Sequence, residues 1–442
     1  MKVYKAFISF CLAGSLIAPL QADAAGTVLR LSLEDALKIA HERNTSIKAV
    51  RARIDQADAR IVQTRQSYLP RVKFSETWVH TTDPGANLVF KLQQGIVTQQ
   101  DFIPDRLNRP DGISDFQTTL EVMQPLFNAD AGFGRSAAIS ARKAQVFMAD
   151  RAVESIDLNV KKAYYGLILA TRNLADIEQS IVTMQAYSRE AGKGYSVGIL
   201  TRSDKLSTDV RLAELREQKL MIQDEIRNAG DALRTMLRLS DDDVVVPSGE
   251  LKVDSRLPAL PAGAGTAGRS DLKALDAFRE VSGYQHDMAK AQYLPRVNAF
   301  AQKNWYESGS LGSGGSNWTV GLNMQWNIFD GMATKGKVQE AKAQELEAGY
   351  NYEAAKEQGE LEIKKAKRAL ATSSERIAVS KKSLEEAKVS FDFIGRQFKT
   401  GMAMTFELLM RESAYTYAKL RVNQAKYDYC IARSELDYYS GH

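Results

Sequence analysis

Residues 317–327 read Asn-Trp-Thr-Val-Gly-Leu-Asn-Met-Gln-Trp-Asn. Trp318, Val320, Leu322, Met324 and Trp326 alternate with Asn317, Thr319, Gly321, Asn323, Gln325 and Asn327. A period of two, with one apolar face and one polar, uncharged face, predicts a β-strand. Aromatic rings at both ends of the apolar face match the girdles that membrane β-barrels place at the bilayer interfaces. A second segment repeats the pattern more weakly, with Phe116, Thr118, Leu120 and Val122 against Gln117, Thr119, Glu121 and Met123. Partner strands are expected at 72–81 and 297–306, each after a Tyr-Leu-Pro motif. Each is about ten residues, the length of a tilted strand crossing a bilayer. A soluble hairpin packed on helices would alternate in the same way.

Four strands cannot close a membrane barrel, because the smallest have eight. An open edge in lipid also leaves backbone groups without partners. Strands that cross a membrane must therefore be shared among copies of the chain. Two copies supply eight strands and a plugged lumen; three supply twelve and room for a channel. The connections differ: 308–316 is a short Gly/Ser loop, whereas 82–113 is long enough to fold over the mouth.

Outside the strands, proline is informative by its absence. None occurs between Pro125 and Pro247, and none after Pro295. Proline breaks helix interiors, so both gaps leave room for long helices. A heptad seam fills the second gap at Ile363, Ala366, Leu370, Ser373, Ile377, Ser380, Leu384, Ala387, Phe391, Ile394 and Phe398. The first half has the same spacing at Val160, Ala163, Leu167, Ala170, Leu174, Ile177, Ile181, Met184, Ser188, Ala191 and Tyr195. A 3.5-residue period keeps one stripe facing a partner helix, and its small residues allow close antiparallel packing. A helix over 129–197 would be about 100 Å long at 1.5 Å per residue. Each seam ends near a glycine, Gly198 or Gly401, and a second helix is expected after it. Taken alone, these seams would also suit a solid bundle or a rod.

The halves are copies. Tyr68-Leu69-Pro70-Arg71-Val72 recurs as Tyr293-Leu294-Pro295-Arg296-Val297, Val160-Lys161-Lys162-Ala163 as Ile363-Lys364-Lys365-Ala366, and Gly198 as Gly401, always in the same order. Such order marks a duplication. The Pro/Gly/Ala-rich run 247–268 reads as the joint. The expected organisation is a leader at 1–24, a first repeat at 25–246, a linker at 247–268 and a second repeat at 269–442. The leader has Lys2 and Lys5, an apolar stretch at 6–20, and Ala22-Asp23-Ala24 as a cleavage signal. It predicts export, which favours the membrane reading of the strands. The apolar stretch is too short to span a bilayer as a helix, which takes about 20 residues.

Composition narrows the function. The 59 basic residues nearly balance 54 acidic ones, a net charge of +5. Nucleic-acid binding calls for a concentrated basic face instead. Of two cysteines, Cys11 leaves with the leader and Cys430 reads as a small buried hydrophobe. His41, His80, His286 and His442 lack metal-ligand spacing, and Asp241-Asp242-Asp243 reads as a solvated turn. No catalytic set, metal site or cofactor motif is expected, and Gly192-Lys193-Gly194 is too short to cradle a phosphate.

The chain resembles the TolC-type outer membrane efflux proteins over nearly its whole mature length. The resemblance lies in Leu31-Ser32-Leu33-Glu34-Asp35-Ala36-Leu37, in both Tyr-Leu-Pro-Arg-Val blocks, and in Gln124-Pro125-Leu126-Phe127. The turns Tyr195-Ser196-Val197-Gly198-Ile199 and Phe398-Lys399-Thr400-Gly401-Met402 carry it most strongly, each followed by an acid, Asp204 or Glu407. Ser32 with Asp35 also reads as a helix-start signal. The resemblance implies a mainly α chain, with coiled-coil helices forming an α-barrel that tapers at the glycine turns. A homotrimer would share a twelve-stranded β-barrel in the outer membrane. Such proteins are exit ducts docked to a periplasmic adaptor and an inner-membrane transporter. It also implies a pore constriction at the periplasmic tip. Glu407 falls at the first acidic position there, while Met410 stands where some members carry a second acid. Threefold symmetry would gather three Glu407 carboxylates into a cation-attracting ring. As a helix-start acid, Glu407 would equally suit the helix dipole. Arg202 and Asp204 are candidates for ion pairs that hold neighbouring helices closed.

Three alternatives remain at this point. The duct could serve a type I protein secretion system. A periplasmic adaptor would share the coiled coil but lack the four strands. A structural rod would need no barrel.

Overall fold

The computed structural model describes residues 27–253, 265–311 and 314–441. The expected leader, with Cys11, and part of the expected linker lie outside the described residues. The first half runs through β1 (Val28–Leu31), α1 (Leu33–Arg43), α2 (Thr45–Gln63) and β2 (Arg71–Thr81). It continues with α3 (Pro84–Gln94), α4 (Pro104–Asn108) and β3 (Ile113–Phe127). The long hairpin α5 (Ala129–Ser196) and α6 (Arg202–Leu237) follows, then β4 (Val244–Pro247). The second half has α7 (Ser270–Ala291), β5 (Arg296–Glu307), β6 (Gly315–Gln325), α8 (Ala333–Lys399) and α9 (Thr405–Ser440). Each half thus contains a helix, two strands and a long helical hairpin, as the repetition predicts. With 68 and 67 residues, α5 and α8 are each about 100 Å long.

Local chemistry sets several helix starts. Ser32 and Asp35 form a reciprocal capping box at α1, as the sequence predicts. Asn44 ends α1 and caps α2 through Ser46. Along the hairpins, both seams are buried as the heptads require, including Val160, Leu167, Ile177 and Met184 in α5 and Ile363, Leu370 and Ile377 in α8. The first seam stops short at Tyr195, which is exposed because the chain turns there with no partner helix beyond it.

The widest part of the core lies near mid-length. There Val160, Tyr164 and Leu167 of α5 and Leu233 and Leu237 of α6 pack on Leu31, Ala36, Ala40 and Val245. β1 and β4 form a parallel pair with Leu31 opposite Pro247, so the first residue of the expected linker is held in structure. Four-residue strands at such separation carry no legible period. The buried Tyr164 hydroxyl donates to the Leu31 carbonyl at 3.0 Å and accepts from the Gly249 amide at 3.1 Å. Tyr164→Phe should cost about 1–3 kcal/mol, since it strands a buried carbonyl and amide. Denaturant unfolding of the purified variant checks this.

The remaining strands form one antiparallel sheet in the order β2-β3-β5-β6, with the two halves joined by β3 against β5. β3 is longer than the alternation predicts and runs through Pro125. The register shifts between Pro125 and Phe127, because proline has no N–H to give the ladder. β3 then passes into α5 after a single residue, Asn128. Among the described residues, no helix is long and apolar enough to cross a membrane.

Candidate functional site: the bare sheet face and the helix tips

Cross-strand register assigns every sheet residue to a face. Val72, Phe74 and Trp78 of β2 align with Val122, Leu120 and Phe116 of β3; Val122 continues through Ala301 of β5 to Val320 of β6, Ala299 faces Leu322, and Lys303 lies between Leu120 and Trp318. This apolar face is bare: Trp318 is 71% exposed and Leu322 70%. Trp326, expected as the second girdle ring on the strand, lies just beyond β6. Its indole N–H donates to the Tyr293 carbonyl at 3.0 Å, so hydrogen bonding seats it at the helix–strand junction. On the opposite face, Thr119 donates to Asn304 at 2.8 Å and Asn304 to Asn317 at 3.1 Å, a ladder of neutral polar groups. Among the described residues, the outer strands β2 and β6 have no partner on their far edges.

At the other end lie the two glycine turns. Gly198 and Gly401 adopt φ of +77° and +75°, the left-handed region that favours glycine. Ile199 donates to the Gly194 carbonyl at 2.8 Å and Gly198 to Tyr195 at 3.1 Å; in the second turn Met402 donates to Gln397 at 2.8 Å and Gly401 to Phe398 at 3.0 Å. Both are Schellman caps, which explains why the aromatic residue and the glycine keep one spacing in both repeats. Phe398 is buried with Phe391, Ala403 and Leu408, packed by Tyr187 and Tyr415, and this aromatic core ties α5 to α8 and α9. Tyr195, its counterpart, stays exposed.

The acids after the turns begin the next helices. Asp204 accepts from the Thr201 hydroxyl at 2.6 Å and its amide at 3.0 Å, and these bonds hold its carboxyl below the usual range. Glu407 is exposed and accepts only a longer bond, from the Met404 amide at 3.2 Å. Arg202 lies with Leu206, Val210, Phe406 and Met410 along an apolar groove between α6 and α9. The structure thus gives Asp204 to its own helix cap and Arg202 to the groove wall.

Ion pairs that do join the hairpins lie further along, Lys162 with Glu435 at 2.6 Å and, in a more buried place, Arg211 with Glu412. Arg211 Nε of α6 donates to Glu412 Oε2 of α9 at 2.7 Å. Glu412 is 2% exposed, and its other oxygen accepts from Thr416 at 2.6 Å. The Thr416 hydroxyl meets Ser180 of α5 at 2.9 Å, so the network spans three helices. The available signal was a glutamate four residues after Leu408 and four before Thr416, on the buried stripe of α9.

The family model described as outer membrane efflux protein matches residues 36–237 and 266–442. The chain belongs to that family. The alkaline protease secretion protein AprF of Pseudomonas aeruginosa is 24% identical over 453 residues, covering 97% of this chain and 87% of AprF. Crystal structures share the fold at lower identity. The Campylobacter jejuni outer membrane channel CmeC superposes with a TM-score of 0.80 at 17% identity, covering 92% of this chain and 85% of its own. The Vibrio cholerae outer membrane protein VceC gives 0.77 at 17% identity, covering 92% and 96%. The chain is thus an outer membrane efflux channel that extends into the periplasm.

Proposed function

We propose that three copies of this efflux channel form one exit duct, docked at its tips to a periplasmic adaptor and an inner-membrane transporter. The observation that carries the reading is the open sheet. Four strands with two free edges and a bare apolar face continue almost directly into helices about 100 Å long. Free edges in lipid are costly, and the four strands of each of three copies close them into twelve. Neither a periplasmic adaptor nor a rod would carry such a face. Carbonate-washed membranes should retain the mature protein, detergent should release it, and its mass in detergent should be that of a trimer. A soluble or monomeric product sinks the reading.

At the tips, Val197, Ile199, Met402, Met404 and Phe406 are exposed apolar side chains in water, which suits a surface covered by a partner. Glu407 sits among them, and threefold symmetry would bring its three copies together around the axis. Glu407→Ala should then weaken divalent-cation block and lower cation selectivity in planar-bilayer recordings. Unchanged block and conductance would remove Glu407 from the constriction. The match to AprF along 97% of the chain favours a secreted polypeptide as cargo, through a type I secretion system. Secretion assays with a co-expressed type I adaptor, transporter and polypeptide substrate test that second reading, and no secretion through this channel overturns it.

A further inference from the structure

The long connection between β2 and β3 is not thrown outward from the sheet. Its helix α3 lies on the polar face, at the end away from the long helices. The Gln94 side-chain amide donates to the Ser114 carbonyl at 2.9 Å and to Asp115 at 2.8 Å. Asp115 is opposite Val79 and shares the polar face with Thr119. A β-carbon at Gly315, opposite Tyr306, would overlap the Gln93 carbonyl, so helix and strand are in backbone contact there. The segment is tied down at several points. Asp83 caps the helix through the Ala86 amide at 2.7 Å, and Asn87 donates to the Asp111 carbonyl at 2.6 Å. Lys91 donates to Asp101 at 2.8 Å, which with the Thr98 amide holds the Asp101 carboxyl at about 2. That pair stays charged well below neutral pH.

Asn87 and Gln94 are the buried side of α3, whereas Val89, Leu92 and, just past its end, Ile96 are exposed. An apolar stripe facing a water-filled lumen is unfavourable unless something covers it. Geometry names the cover. Twelve strands at about 4.8 Å spacing and about 40° tilt enclose a lumen about 24 Å across between opposite backbones. Three helices, each about 10 Å wide, fill that width. We propose that α3 from the three copies meets about the threefold axis, Val89, Leu92 and Ile96 inward, and closes the outer mouth of the barrel. The proposal rests on the trimeric reading and adds a second barrier, about 130 Å from the periplasmic one when the tilted strands are added to the helices.

Leu92→Cys in the purified full-length channel, treated with a short bismaleimide, tests the contact. Cys430 is buried, so wild-type protein is the blank, and Phe74→Cys on the lipid face is the negative control. Most of the Leu92→Cys protein should run as covalent dimers on denaturing gels, and the Phe74→Cys protein as monomers. A trimeric mass with no Leu92 crosslink overturns this proposal alone. A monomeric mass overturns it together with the trimer. Closure is read in intact cells with a bulky, impermeant maleimide. Asn323→Cys, on the polar face deeper in the lumen, should resist labelling in the full chain and become labelled when residues 84–110 are replaced by a short Gly-Ser linker. Equal labelling of both overturns α3 as the barrier.

Discussion

Leu322→Arg should keep most of the protein out of the outer membrane. Leu322 is 70% exposed in the chain, and its register with Ala299 puts it on the apolar face that the proposed barrel turns to lipid. A basic side chain on a lipid face costs about 2–4 kcal/mol near the bilayer midplane. Every copy in the assembly carries that cost, so the assembled channel bears it repeatedly. Asn323→Arg is the matched control, because neighbouring residues on a strand face opposite ways. It places the same charge in the polar lumen and should assemble at close to the wild-type level. Quantifying folded protein in outer-membrane fractions separates the two. Equal losses would mean that the bare face is covered by protein.

Glu412→Ala should loosen the periplasmic tip. Its removal leaves Arg211, largely buried, without the carboxylate that balances it, and frees the Thr416 hydroxyl on one side. Breaking one half of a buried ion pair typically costs about 3–5 kcal/mol. The low end is expected here, because Arg211 is 16% exposed and keeps Glu214 at 3.0 Å. The loss should be local. Amide exchange should quicken in the tip-proximal turns of α6 and α9, and single-channel conductance should rise. The double variant Arg211→Met with Glu412→Leu should recover most of the stability, because it removes both charges together. Failure of that rescue would mean that the network with Thr416 and Ser180, more than the ion pair, holds the hairpins.

Strand alternation at 318–324 marked the bare apolar face correctly, because a two-residue period depends only on neighbouring side chains. Trp326 was misplaced by one step: alternation continues past the point where the last ladder partner, Arg296 opposite Gln325, ends the strand. Pro125 lacks an N–H for the ladder, yet β3 runs through it because a shift of register absorbs it. At the glycine turns, the repeat marked the Schellman geometry, and Thr201 three residues before Asp204 is a local capping pattern that the ion-pair reading passed over.

Helix length, the coiled-coil seams, the duplication, the sheet's two faces and the glycine turns were all set by near-neighbour regularities of the sequence. A period of 3.5 or 2 buries one stripe whatever lies opposite. The tertiary structure alone decided what lies opposite. It paired β1 with β4 across 216 residues of separation between Val28 and Val244. It set Arg211 against Glu412, 201 residues apart. It also laid α3 on the polar face, where an apparently open loop becomes a candidate stopper. Such contacts depend on how whole helices and strands stack, and that stacking fixes distances between residues that share no local pattern.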